Sequence, residues 1–327
     1  MYSIILVVAL SLTDFVSCLL NAIVLYAFCR LRSRLIAKDM YIIGMAISDV
    51  LQCALGYPLE IFSSQQGSWT LSHSYCKASG FFITFLGLVS INYLAVVAFD
   101  LYISICKPYF STVYHGSQKF VVASNVFPWL FSFFWAVVPF LGWSSYALED
   151  DNLRCSINWN GKSASDKSYV AALYVFCYIL PVGMMLFAFS AVKRELRQMQ
   201  KRAVEMAGMQ MEAMMETVQA EKRHTKLAIV MSTAFVVSWT PYTVISFWSS
   251  YFKHVATVPK YLGTISAVFA KLSTLCNPII YSFLHAKFRR NLDLPFIGKV
   301  FKQNTVNPGW ESSVRPTSST GNKTLVD

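Results

Sequence analysis

The sequence predicts an all-α membrane protein: a seven-transmembrane helix bundle with a short amphipathic membrane-surface helix after the seventh span. Three observations predict it. Of 327 residues, 55% are hydrophobic and only 14% charged, whereas a soluble domain carries about 25% charged residues. Seven apolar stretches are long enough to cross a bilayer core of about 30 Å, which takes roughly 20 helical residues. The 28 Lys+Arg, set against 17 Asp+Glu, gather in short segments between those stretches. A nucleic-acid binder would instead present them as a stripe on a folded surface, so a lipid bilayer is expected as a partner and nucleic acid is not. The composition excludes disorder, a collagen-like fibre and an ordinary cytosolic enzyme. Eight cysteines are too few and too scattered for a disulfide scaffold.

The expected spans lie near 2–29, 40–63, 77–106, 120–142, 168–193, 225–251 and 260–284. The first run lacks a basic leading segment and is too long for a signal-peptide core, so no cleavable signal is expected. The second contains Asp49, with Glu60 near its outer end. The third is diluted by Gly80, Gly87 and small polar residues but carries little charge before Asp100. The fourth, fifth and sixth are dense in Phe, Val, Leu and Trp. Pro139, Pro181, Pro241 and Pro278 fall in spans four to seven, where each frees a carbonyl and bends its helix. Between the fifth and sixth spans, residues 195–222 are strong helix formers, expected to prolong both neighbours; a Met-rich docking face is the other reading. After Lys287, the run Phe288-Arg289-Arg290-Asn291-Leu292 suits a helix lying in the membrane surface, its apolar residues in lipid and its arginines at the headgroups. The expected organisation is thus a receptor domain over 1–300 and a disordered Ser/Thr-rich tail over 301–327.

Loop charge sets the orientation. Arg30, Arg32, Arg34 and Lys38 follow the first span, Lys193, Arg194, Arg197, Lys201 and Arg202 follow the fifth, and Lys287, Arg289 and Arg290 follow the seventh. The alternate loops are poorer in basic residues. Positive-inside bias therefore puts the amino terminus outside and the carboxy terminus in the cytoplasm. Asn322, in an Asn-x-Thr site, then lies on the cytosolic side and should stay unmodified.

Polar groups inside the spans need a reason, since a charge at the bilayer centre costs about 2.5 kcal/mol or more. Asn21, Asp49, Lys271 and Asn277 are such groups. Together with Ala46-Ile47-Ser48-Asp49, Trp129, Pro181, Trp239-Thr240-Pro241-Tyr242 and Asn277-Pro278-Ile279-Ile280-Tyr281, they resemble the signature positions of rhodopsin-like G-protein-coupled receptors, one signature per span. Lys271 stands about eleven residues into the last span, roughly 16 Å along the helix axis. On its own it could snorkel, or pair with Asp14 or Glu60. Phe269-Ala270-Lys271, six residues ahead of Asn277-Pro278, resembles the retinal-attachment site of opsins. An amine in an apolar pocket gives up its proton readily and is then free to condense with an aldehyde.

The opsin resemblance implies the rest of the site. Retinal, as the 11-cis or the all-trans isomer, would be the cofactor, bound through a Schiff base to Lys271 and in contact with Trp239. Gly142-Trp143-Ser144-Ser145-Tyr146, Glu149 and Cys155-Ser156-Ile157-Asn158-Trp159 are similar to the plug that opsins place over retinal, and Cys76 is expected to pair with Cys155 on the oxidising side. In vertebrate visual pigments the counterion comes three residues after the span-three cysteine, where this chain has Ser79. Glu149 matches the loop glutamate thought to serve in many non-visual and invertebrate opsins and is the first choice. Glu60 is the alternative counterion, and an unprotonated, ultraviolet-absorbing linkage is the third reading. Short phrases around Trp159, Trp239 and Lys271 are most similar to the neuropsin, peropsin and retinal-isomerase group.

The inner end of span three departs from the pattern. Where the family has an acid, an arginine and an aromatic, this chain has Asp100-Leu101-Tyr102. Glu221 keeps the acid at the base of span six, leaving half of the usual lock without its arginine. Phe189 stands where a tyrosine hydroxyl is usual, while Asn277, Pro278 and Tyr281 keep the switch of span seven. The resemblance implies, in this order, a light-sensing receptor coupled to a heterotrimeric G protein, a retinal photoisomerase with little coupling, or a diffusible-ligand receptor of the same fold. Leu101 weakens the expectation of the G-protein partner, since leucine cannot donate a hydrogen bond. A receptor kinase and arrestin are expected at the tail through Ser312, Ser313, Thr317, Ser318, Ser319 and Thr320. No enzyme activity other than photoisomerisation, no catalytic residue and no metal site is expected.

Overall fold

The computed structural model describes residues 2–30 and 37–284. Among them are seven helices long and apolar enough to cross a membrane. The first is Tyr2–Cys29. Ile4, Val8, Leu12, Phe15 and Leu19 form an exposed apolar stripe along it, while Leu6, Leu10, Ser17, Asn21 and Val24 are buried. Here the stripe that faces outward is as greasy as the one that packs, as lipid contact requires.

The second span is Ala37–Leu51, continued through a π-helical turn, Gln52–Gly56, into Tyr57–Gln66. The extra residue of that turn falls just before Pro58, whose ring would otherwise strike the preceding turn. The fifth span repeats the device. Ala164–Tyr174 passes through the π-turn Val175–Ile179 into Leu180–Glu205, with Pro181 just beyond it. The third span is His73–Cys106 and the fourth Gln118–Val137. Pro128 is the proline inside the fourth span, whereas Pro139 lies in the 3₁₀ turn Val138–Leu141 that ends it, so the expected bend at Pro139 is instead a helix stop. The sixth and seventh spans are Gly208–Tyr251 and Lys260–Leu284, and contain Pro241 and Pro278. The fifth and sixth helices both run beyond bilayer length, as the helix formers of 195–222 require, and part at Met206-Ala207. The amphipathic run after Lys287 and the tail lie outside the described residues.

Among the described residues, two features lie outside the bundle. A short helix, Pro108–Gly116, joins the third and fourth spans at the end where Arg30 and Lys38 sit. At the opposite end, β1 (Tyr146–Leu148) and β2 (Cys155–Ile157) form an antiparallel hairpin pairing Tyr146 with Ile157 and Leu148 with Cys155. Cys155 is disulfide-bonded to Cys76 at the start of the third span. The Tyr146 hydroxyl also donates to the Ala136 carbonyl at 2.7 Å. The hairpin is thereby tied to the third and fourth spans.

Several polar groups inside the bundle find partners in one another, as a dry interior favours. Asn21 donates to the carbonyls of Ser17 and Thr274, each at 2.9 Å. Asp49 accepts from Asn277 at 3.2 Å and from Ser90 at 3.3 Å, linking spans two, three and seven. Trp129 donates to the Tyr93 hydroxyl at 2.8 Å. The glycines that dilute span three mark close approaches. A Cβ at Gly80 would come within 2.6 Å of the Tyr146 ring, and one at Gly87 within 3.0 Å of Trp239. They admit the hairpin on one side and span six on the other.

Candidate functional site

Lys271 projects from the seventh span into the bundle with its ammonium nitrogen 2.9 Å from Glu60 Oε2. Both are buried, the glutamate to 2% exposure. The nitrogen also lies 5.3 Å from the centre of the Tyr57 ring, a cation–π contact. Glu60 and Tyr57 share the half of span two that follows the π-turn. Asp14 of the first span is near enough to act electrostatically on the same ammonium.

Glu149 sits in the turn of the hairpin, held by other partners. Its Oε2 is 2.6 Å from Arg154, and its Oε1 accepts from the Tyr242 hydroxyl at 2.6 Å. Trp159 donates to the same hydroxyl at 2.9 Å. Arg154 is 4% exposed, and its other terminal nitrogen is 2.6 Å from Asp151. Burial alone would weaken the guanidinium's hold on its proton, yet the carboxylates beside it raise its pKa above the ordinary arginine value. Of the two candidate carboxylates, the structure thus pairs Lys271 with Glu60, while Glu149 pairs with an arginine. Arg154 escaped the sequence reading because nothing in its spacing marks it apart from adjacency to Cys155.

Two adjoining cavities meet here. A larger one, about 110 Å³, is apolar and reaches Leu173, Tyr174, Cys177 and Phe235. A smaller one, about 40 Å³, contains Lys271, Glu60, Glu149 and Arg154. Ile83, Ser156, Trp239 and Tyr242 border both. The two lie side by side across those shared walls, the larger oily and the smaller holding an amine. Such a donor set suits a long apolar ligand with a carbonyl end. Trp239 stacks on Phe235 with centroids 5.7 Å apart and donates to Ser273 at 3.0 Å.

At the opposite end, Asp100 is buried and accepts from His115 at 2.8 Å. Tyr41 also donates to it, at 3.5 Å. His115 comes from the short helix between spans three and four, and sequence reasoning had no signal for it. Leu101 is buried with Ile105, Val192, Leu196 and Ala228, with Phe189 packed alongside. Tyr102 meets the Phe187 ring at a centroid distance of 5.4 Å. Glu221, expected to lack a partner, has one in Lys38 at 3.7 Å. Lys38 opens the second span, and its amine supplies the positive charge that the absent arginine does not. Asn277 bonds Asp49, and the Tyr281 hydroxyl points to Met45 Sδ at 3.9 Å.

Seven spans with a polar interior, a hairpin lid and a lysine at the end of a buried cavity define a seven-transmembrane receptor. A family model described as 7 transmembrane receptor (rhodopsin family) matches residues 20–281, and the chain belongs to that family. It is similar to mouse visual pigment-like receptor peropsin, at 30% identity over 84% of this chain and 79% of that protein. Melanopsin of Rutilus rutilus is 28% identical over 91% of this chain and 61% of its own length. The crystal structure of squid rhodopsin superposes with a TM-score of 0.82 at 26% identity, covering 93% of this chain and 87% of that one.

Proposed function

We propose that this light-sensing G-protein-coupled receptor holds retinal on Lys271, with Glu60 as the carboxylate that balances the charge there. The observation that carries the reading is the buried Lys271–Glu60 contact of 2.9 Å in the small cavity that adjoins the apolar one. Bound there, retinal would supply light absorption and a change of shape. The chain does the rest. The hairpin and its disulfide exclude water, Glu60 holds the proton at the lysine nitrogen, and Trp239 stands against the cavity as the contact that feels a change of shape. Pro241, two residues on, interrupts the hydrogen-bond ladder and gives span six a place to bend. Bending would draw Glu221 away from Lys38 and open the basic end, which on this reading faces the cytoplasm, with the amino terminus outside. The tail beyond 300 would serve a receptor kinase and arrestin.

A photoisomerase is the second reading, favoured by Leu101, whose apolar cluster offers no donor to a G protein. Light-triggered nucleotide exchange on a panel of heterotrimeric G proteins, with extraction of retinal isomers from the same samples, separates the two. Light-dependent exchange is expected. Isomer turnover without exchange on any of them would establish the photoisomerase instead.

A further inference from the structure

Carboxylates outnumber the two cations, Lys271 and Arg154, around the smaller cavity, and their pairing is uneven. Lys271 has Glu60 at 2.9 Å. Arg154 has both Glu149 and Asp151, each at 2.6 Å. Asp151 is further fixed by Thr264 at 2.7 Å and Glu149 by Tyr242 at 2.6 Å. Lys271, Glu60, Glu149 and Arg154 all border the same 40 Å³ cavity. Glu149 is therefore close to the amine yet spent on a guanidinium.

We propose that Arg154 is a positioning residue that assigns the counterion role, withdrawing Glu149 from the Lys271 nitrogen and leaving that nitrogen to Glu60. The inference deepens the proposed reading and rests on it. A guanidinium presents its nitrogens as a rigid fork, so one Arg154 engages two carboxylates at once and holds Glu149 turned toward the lid. The hairpin makes this possible. Glu149 and Arg154 flank its turn, their backbones joined by the Glu149 N–H donating to the Arg154 carbonyl at 3.0 Å, so both side chains leave the hairpin at the same level. Without Arg154, the cation that shares the 40 Å³ cavity with Glu149 is the one on Lys271. Without Glu149 and Asp151, the carboxylate left for Arg154 is Glu60, whose charge already acts on the guanidinium.

The test is a set of absorption spectra at neutral pH after incubation with retinal, for wild type, E60Q, E60Q/R154Q and E149Q/D151N. E60Q is expected to move from visible to near-ultraviolet absorption, and E60Q/R154Q to regain the visible peak as Glu149 is released. E149Q/D151N should lose visible absorbance to the near-ultraviolet, because Arg154 then competes for Glu60. It tests the same point should E60Q/R154Q not fold. Thermal midpoints of the retinal-free protein supply a readout independent of pigment: R154Q should lower the midpoint, and E149Q/R154Q should recover part of the loss. A double variant that stays in the near-ultraviolet, or an E149Q/D151N spectrum unchanged from wild type, overturns the inference and leaves the Lys271–Glu60 reading standing. No pigment in wild type overturns that reading itself.

Discussion

Replacing Glu60 by glutamine removes one negative charge and almost nothing else, so its effect can be worked from the structure. At 2.9 Å, the attraction between Glu60 and a cation on Lys271 is about 6 kcal/mol at an effective dielectric constant of about 20. Part of that repays the cost of drying a carboxylate that is 2% exposed. Breaking one side of a buried pair costs about 3–5 kcal/mol in proteins, because the remaining charge stays buried without a partner. At 1.4 kcal/mol per factor of ten, the charge-paired, visible-absorbing form should lose about a hundredfold to a few thousandfold of its preference. The assay is the spectrum of the retinal-loaded variant, titrated from acid to alkaline pH. E60Q should show its visible peak only at the acid end, while E149Q keeps a wild-type spectrum at neutral pH. A visible peak that survives in E60Q and vanishes in E149Q would refute the reasoning and return the role to the hairpin glutamate.

Other outcomes follow from the opposite end. Leu101→Arg should raise light-dependent nucleotide exchange, although it gives up the packing on Ile105, Val192 and Leu196; no gain would show that Leu101 is not the limiting departure. Among the described residues, His115→Ala leaves buried Asp100 with only the 3.5 Å contact from Tyr41. It should cost about 1–3 kcal/mol of stability and raise exchange in the dark, and unchanged dark exchange would show that the pair is not a brake. Gly87→Ala places a methyl 3.0 Å from Trp239. It should shift the pigment's absorption or slow its formation, and a spectrum and rate like wild type would show that span six gives way freely at that point.

Much of the fold was legible because lipid makes such severe demands on a chain. Spans read as continuous apolar runs, and 2–29, 77–106 and 260–284 match the observed helices to within a few residues. The proline bends were half legible. Pro181 announced one, but the π-turns before Pro58 and Pro181 are local accommodations that no pattern of apolar residues records. In the site, Lys271 stood out as a charge in an apolar span, and Glu60 as the alternative counterion near the outer end of span two. That they touch depends on how spans two and seven pack, a long-range matter that spacing within either helix does not carry. Arg154 was hidden for a different reason. It looked like one basic loop residue among several, and only the closed hairpin buries it against two acids. The same applies to His115 and Lys38. The loss of arginine beside Asp100 signalled that a buried acid needed a partner, but the partner arrives from another loop.

The central claim is that Lys271 carries retinal in a closed, charge-balanced site. The most direct test is the absorption spectrum of purified wild type and Lys271→Ala after incubation with 11-cis and, separately, all-trans retinal, before and after illumination. A pigment peak that forms in wild type, changes on illumination and is absent from Lys271→Ala is the predicted result. A spectrum of free retinal alone in both proteins would contradict it, and the buried lysine would then serve only to pair with Glu60.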